Sequence, residues 1–247
     1  MSAAPKTADF KRIEGHFSKG EYAEVLRELG PLVEAGNPAA MNVMGAMFEG
    51  GHGVTKDLRV AAQYYRRSAE QGDAGGQYSW GTMLLYGSGV AKEEGKAAEW
   101  YRKSADQGDV DGQRGLGGLL LTGIGVEKDE HLGVQWIRKA ADRGDARAQS
   151  TMGQVYRFGY GVDQDHREAA RWYRMAADQG DADALNSLGN FYDQGTGGMR
   201  QDYAEAARFY EAAARQGDSY GQLNLARMYV QGLGVASDAV MAYGWIN

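Results

Sequence analysis

The four histidines, His16, His52, His131 and His166, are the side chains best suited to bind a metal or move a proton near neutral pH. None pairs with another at His-Glu-x-x-His or a related ligand spacing, so no metal site is expected. His52, His131 and His166 fall in loops or at helix entries, where solvated side chains are the ordinary outcome. Without cysteine the chain has no disulfide, Cys–zinc or thiol chemistry. No serine is followed three places later by lysine, and Ser79 misses the Gly-x-Ser-x-Gly elbow by one position. The recurring Gly-x-Gly loops lead into neither Gly-x-x-Gly nor Gly-Lys-Ser/Thr, so they make no phosphate cradle. The sequence thus predicts no catalytic residue, no cofactor and no enzyme activity.

What remains is architecture. Hydrophobic residues make up 43% of the chain and charged residues 24%, as in ordinary folded domains. The net charge of −6 gives the chain as a whole no footprint for nucleic acid, although it leaves room for a local basic patch. No run of 18 apolar residues exists, so no membrane insertion is expected. Met1 to Ala8 lack an apolar stretch and are no secretory signal as written. A soluble chain follows, cytoplasmic, or periplasmic if a signal was removed.

Glycine is abundant, 37 residues against three prolines, and it is periodic. Gly45, Gly81, Gly117, Gly153 and Gly189 recur every 36 residues, with Ala226 one residue late. Gly51, Gly87, Gly123, Gly159, Gly195 and Gly232 follow six places after them, and Gly53, Gly89, Gly125, Gly161, Gly197 and Gly234 two places later. The slip is one inserted residue around Gly198–Met199. Each period reads as two helices. The first carries an apolar stripe such as Met44, Met47 and Phe48, with Gly45 placed for close approach of a neighbour. After a Gly-x-Gly-Val loop, the second helix opens on Asp57, Glu93, Asp129, Asp165, Asp202 or Asp238, acids suited to a helix N-terminus. It carries pairs such as Tyr64-Tyr65, Trp100-Tyr101 and Trp172-Tyr173, then closes at Gln-Gly-Asp, with glycine as C-cap and aspartate as the next N-cap. The fixed places of Trp100, Trp136, Trp172 and Trp245 predict core positions.

Ala97–Gly108 (AAEWYRKSADQG), Met152–Tyr156 (MGQVY) and Gly159–Val162 (GYGV) resemble the Sel-one-like repeat family, a branch of the tetratricopeptide-type α/α solenoids. The resemblance covers Asn37 to the C-terminus and implies an all-α, right-handed superhelical solenoid of helix–loop–helix repeats. Repeat three departs in Gly133 and Ile137, and repeat five in Gly198, where the loop valine belongs. The expected repeats are 37–72, 73–108, 109–144, 145–180, 181–217 and an incomplete 218–247. Residues 1–36 read as a tail and a degenerate capping pair, with stripes Phe10, Ile13, Phe17 and Tyr22, Val25, Leu26, Leu29, Leu32, Val33. Pro31 is expected to bend or interrupt its second helix. The last repeat stops inside its second helix, leaving Met241, Trp245 and Ile246 partly open and end-to-end self-association possible.

By the same resemblance, the face of each first helix opposite the core stripe lines a concave partner groove. It holds Tyr78, Thr82, Leu85 and Tyr86, then Arg114 and Leu121, then Gln154, Arg157 and Phe158, then Asn186 and Asn190, then Arg227. Leu85, Tyr86, Leu121 and Phe158 are expected to form an exposed apolar strip, with Arg114 and Arg157 selecting acidic segments. The resemblance implies a non-catalytic, bacterial protein-interaction scaffold binding an unidentified protein or peptide. An immunity partner of a secreted toxin is the alternative, and a cell-wall or β-lactam enzyme a third that the missing Ser-x-x-Lys disfavours.

Overall fold

A computed structural model describes residues 7–246; the tail before Thr7 and Asn247 lie outside the described residues. The described residues are all-α, in two compact units divided after Lys128. The first unit holds α1 (Thr7–Ser18), α2 (Tyr22–Glu34), α3 (Pro38–Gly50), α4 (Leu58–Glu70), α5 (Ala74–Tyr86), α6 (Glu94–Asp106) and α7 (Val110–Thr122). The second holds α8 (Glu130–Asp142), α9 (Ala146–Phe158), α10 (His166–Ala177), α11 (Ala182–Gln194), α12 (Tyr203–Ala214), α13 (Ser219–Gln231) and α14 (Ala239–Ile246). Within each unit, helices pack against their chain neighbours, as a solenoid requires.

The capping aspartates set the boundaries. Asp73, Asp109, Asp145, Asp181 and Asp218 each accept a backbone N–H three residues on, at 2.6–2.9 Å, to start an odd-numbered helix. Asp57, Asp129, Asp165, Asp202 and Asp238 do the same for the even-numbered ones. Glu93 is the exception: it makes no cap bond and pairs instead with Lys96 at 2.6 Å. Gly87 and Gly159 end their helices in the left-handed region, at φ 70° and 75°. Helix α2 continues through Pro31 to Glu34, so proline does not interrupt it.

The repeat glycines do what their spacing implies. A Cβ on Gly45 would lie 2.6 Å from the Tyr65 ring, on Gly81 2.7 Å from Tyr101, on Gly153 2.5 Å from Tyr173 and on Gly189 2.6 Å from Tyr210. These tyrosines, with the Ala-Ala pair one turn earlier, form the buried seam inside each helix pair. Within a repeat, exposed Gln107 and Gln179 donate Nε2 hydrogen bonds to Oε1 of buried Gln77 and Gln149, both at 2.8 Å.

Two core assignments change. The tryptophans at the repeat position are half-buried, because each precedes the seam residue (Tyr101, Ile137, Tyr173 or Ile246) by one place and so turns about 100° away from it. Lys103 lies 3.8 Å over the Trp100 ring and Lys139 3.7 Å over Trp136, covering what the core does not. His52 is not simply solvated: its ring packs 5.2 Å from Phe17 and 4.9 Å from Tyr22, joining the first helix pair to the first full repeat.

Candidate functional site

The twelve groove residues expected from sequence all lie on odd-numbered helices, but not all on an open stripe. In the first unit, Tyr86 stands 71% exposed just before its C-cap glycine, while Leu85 is only 8% exposed. Leu85 therefore leaves the exposed apolar strip. It occupies the repeat place of Asp193, which Arg227 of the next odd-numbered helix reaches in an ion pair. That place lies in the seam between successive odd-numbered helices. Leu121 is half-buried. Tyr78 stacks on Tyr101 at 5.1 Å, and Thr82 shares a 2.9 Å hydrogen bond with the Tyr101 hydroxyl. Arg114 is half-buried and paired with Asp111.

In the second unit, Phe158 is 54% exposed at the repeat place of Tyr86. Gln154 is exposed one turn before it. The Arg157 guanidinium lies 5.2 Å from the Phe158 ring and 5.7 Å from Phe191, with no carboxylate in ion-pairing range among the described residues. Asn186 accepts from Asn224 at 2.9 Å, and Asn190 accepts from the Tyr210 hydroxyl at 3.0 Å. Arg227 is held by Asp193. Of the twelve expected residues, Tyr86, Gln154, Arg157 and Phe158 thus combine accessibility with unused binding capacity.

Sequence reasoning missed the phenols. The seam tyrosines run through the core and deliver their hydroxyls to this same face. Tyr65 donates to Glu49 at 2.6 Å, and Tyr210 reaches Asn190 and Asp193. Burial pushes the phenols of Tyr65, Tyr101 and Tyr210 well above their ordinary range, and Glu49 adds to the rise at Tyr65. Tyr173 is also raised by burial, opposed by nearby Ser187 and Arg157, yet neither completes a full hydrogen bond with its hydroxyl. Buried Ser150 likewise has an unpartnered hydroxyl. The register was visible, since each tyrosine lies 20 or 21 residues after its glycine; the direction of its hydroxyl was not.

Nothing in this arrangement joins a nucleophile, a base and an oxyanion site. Among the described residues, no three His, Asp or Glu side chains gather as metal ligands, and no helix is long and apolar enough to cross a membrane.

The Sel1 repeat matches at residues 38–73, 74–109, 110–145, 146–181, 182–218 and 219–247. A Sel1 repeat protein from Oxalobacter formigenes is 30% identical, covering 98% of this chain and 96% of that one, with a TM-score of 0.85. A protective antigen of uropathogenic Escherichia coli with an SLR fold is 36% identical over 89% of this chain, with a TM-score of 0.75. This chain spans about half of that one, 47% of its length. An immunity protein from Pseudomonas aeruginosa, 20% identical over 89% of this chain and 85% of its own, shares the fold at a TM-score of 0.61. No curated protein matches. With the repeat matched along residues 38–247 and its spacing written into the buried seams, the chain belongs to the Sel1 repeat family.

Proposed function

We propose that this chain is a non-catalytic scaffold that holds a segment of a partner protein against the free face of its odd-numbered helices. Sel1 repeat proteins are protein-interaction scaffolds, and the features of this face suit that role. The observation that carries the reading is that each unit leaves a large aromatic side chain open at the same repeat place, Tyr86 in the first and Phe158 in the second. Beside Phe158 stands Arg157, whose charge no carboxylate meets among the described residues. Aromatic and arginine side chains are the usual anchors of protein interfaces, and an unpaired guanidinium next to an apolar surface suits an acidic or carboxylate-ended segment.

Photo-crosslinking tests this reading. A benzoylphenylalanine at position 86 or 158 should capture a partner in the source cell that the same group at Glu99, on an even-numbered helix, does not. Calorimetry on the purified pair should then show Tyr86→Ala, Phe158→Ala or Arg157→Ala each weakening binding by about 1–3 kcal/mol. Thermal unfolding should stay nearly unchanged. Wild-type affinity in all three variants refutes the reading.

A further inference from the structure

The even-numbered helices carry recesses of their own, each framed by one helix and the glycine loop of the following repeat. In the first unit they measure about 250 Å³ beside α4 and about 430 Å³ beside α6. The equivalent recess beside α10, in the second unit, measures about 650 Å³. The repeat register allows a position-by-position comparison. The first wall position is Arg59, Gly95 and Arg167; the second is Gln63, Glu99 and Arg171; the third is Arg66, Arg102 and Arg174. Of the three recesses, the one beside α10 alone has arginine at all three.

Its loop also differs. Met199, rather than Gly198, packs on the Ala169, Ala170 and Tyr173 cluster, as Val90 packs on the cluster of Tyr65. Gly198 is therefore the inserted residue, not the replacement for the loop valine, and it bulges at φ +79° beside the Arg167 side chain. One more residue in the wall accompanies the larger opening.

The charges there are poorly compensated. Arg171 pairs with Glu168 at 2.5 Å, but the arginine side chain is 75% exposed. Arg174 donates to the neutral Tyr192 hydroxyl at 3.0 Å. Arg167 has no carboxylate in ion-pairing range among the described residues. Met175, exposed at the rim, and Met199 supply soft apolar surface between the charges.

We propose that this recess docks an acidic protein segment, with carboxylates on Arg167 and Arg174 and an apolar side chain between them on the two methionines. Seven residues of helix separate those arginines by about 10.5 Å. Three residues of extended chain span about 10 Å, so carboxylates three apart match the spacing. A single small anion would leave most of the recess empty. The recess lining offers no aromatic platform for a base, and the net charge of −6 opposes a long polyanion. The site is independent of the odd-helix face.

The test is fluorescence anisotropy with a labelled Glu-Glu-Leu-Glu-Glu peptide, its Gln-Gln-Leu-Gln-Gln counterpart and a single-stranded oligonucleotide. The acidic peptide should bind, weaken with salt, and lose about tenfold or more in affinity in Arg167→Gln/Arg174→Gln, whose folding circular dichroism verifies. Deletion of Gly198, which restores the common loop length, should weaken it several-fold. Arg157→Gln, on the other face, should leave it unchanged. The proposal fails if the double variant binds like wild type, if the glutamine peptide binds equally well, or if Arg157→Gln alone carries the loss. Tighter binding of the oligonucleotide at the same arginines would reassign the recess to nucleic acid.

Discussion

The α9–α10 pair and the α13–α14 pair share one repeat register but bury it differently. Tyr173 is 0% exposed, whereas Ile246, at the corresponding place in the last pair, is 55% exposed. Val240 and Tyr243 on α14 are also open, although Ala242 is buried. The same register is therefore closed in the inner pair and open on α14. Burial in this architecture comes from the neighbour and not from the helix pair alone. The smaller contact is also matched: Gly153 faces the large Tyr173 ring, while the last pair has Ala226 and Ile246 at the two places.

Truncation should separate the two regions most sharply. Tyr173→Ala is expected to cost about 3–5 kcal/mol and Ile246→Ala under about 1 kcal/mol, read from urea unfolding of the two variants. Equal losses would show that the last pair is as well covered as the inner one.

Alkaline pH probes the inner seams next. Tyr65, Tyr101, Tyr173 and Tyr210 have phenols raised above the ordinary value of 10.0 by burial. Their contribution to stability is whole below about pH 10, where the unfolded phenols are also neutral. It is lost as pH climbs from there toward the folded values, because only the unfolded chain ionises. The melting temperature should fall steeply above pH 10, and Tyr101→Phe should flatten that fall. Indifference to alkali would mean the seams admit phenolate.

Two substitutions of opposite sign finish the series. Gly153→Ala puts a methyl against the Tyr173 ring and should cost about 1–3 kcal/mol, with Tyr173→Ile recovering part of it, as in the last pair. Gly118→Ala meets nothing within 4 Å and should stabilise α7 by about 0.5–1 kcal/mol. Differential scanning calorimetry reads both, and the same sign for the two would undo the packing account of the repeat glycines.

Helices, caps and glycine seams were legible because each depends on residues within one repeat. Asp73 needs only Gly76, three places on, to declare a cap. Leu85 and the repeat tryptophans were misplaced for the opposite reason. Periodicity says which way a side chain points on its helix, but not whether the next helix arrives to cover it. The exposed aromatics Tyr86 and Phe158 were readable from their register, whereas the direction of the phenol hydroxyls needed three dimensions. The arginine recess had its parts in plain view: Arg167, Arg171 and Arg174 on one helix face, and the inserted Gly198. Only folding sets that loop against that face.

The bond between Gln107 and Gln77 joins residues 30 apart, and the bond between Gln179 and Gln149 repeats the interval. Caps, seams and amide links alike close within about one repeat. A stretch cut from one capping aspartate to the next carries its own fastenings and presents the same two faces to whatever adjoins it. Duplication or loss of such a cassette would keep these internal fastenings and break only ties to its neighbours such as Asp193–Arg227 and Asn186–Asn224, so inheritance can add surface in whole modules while single substitutions diversify each one.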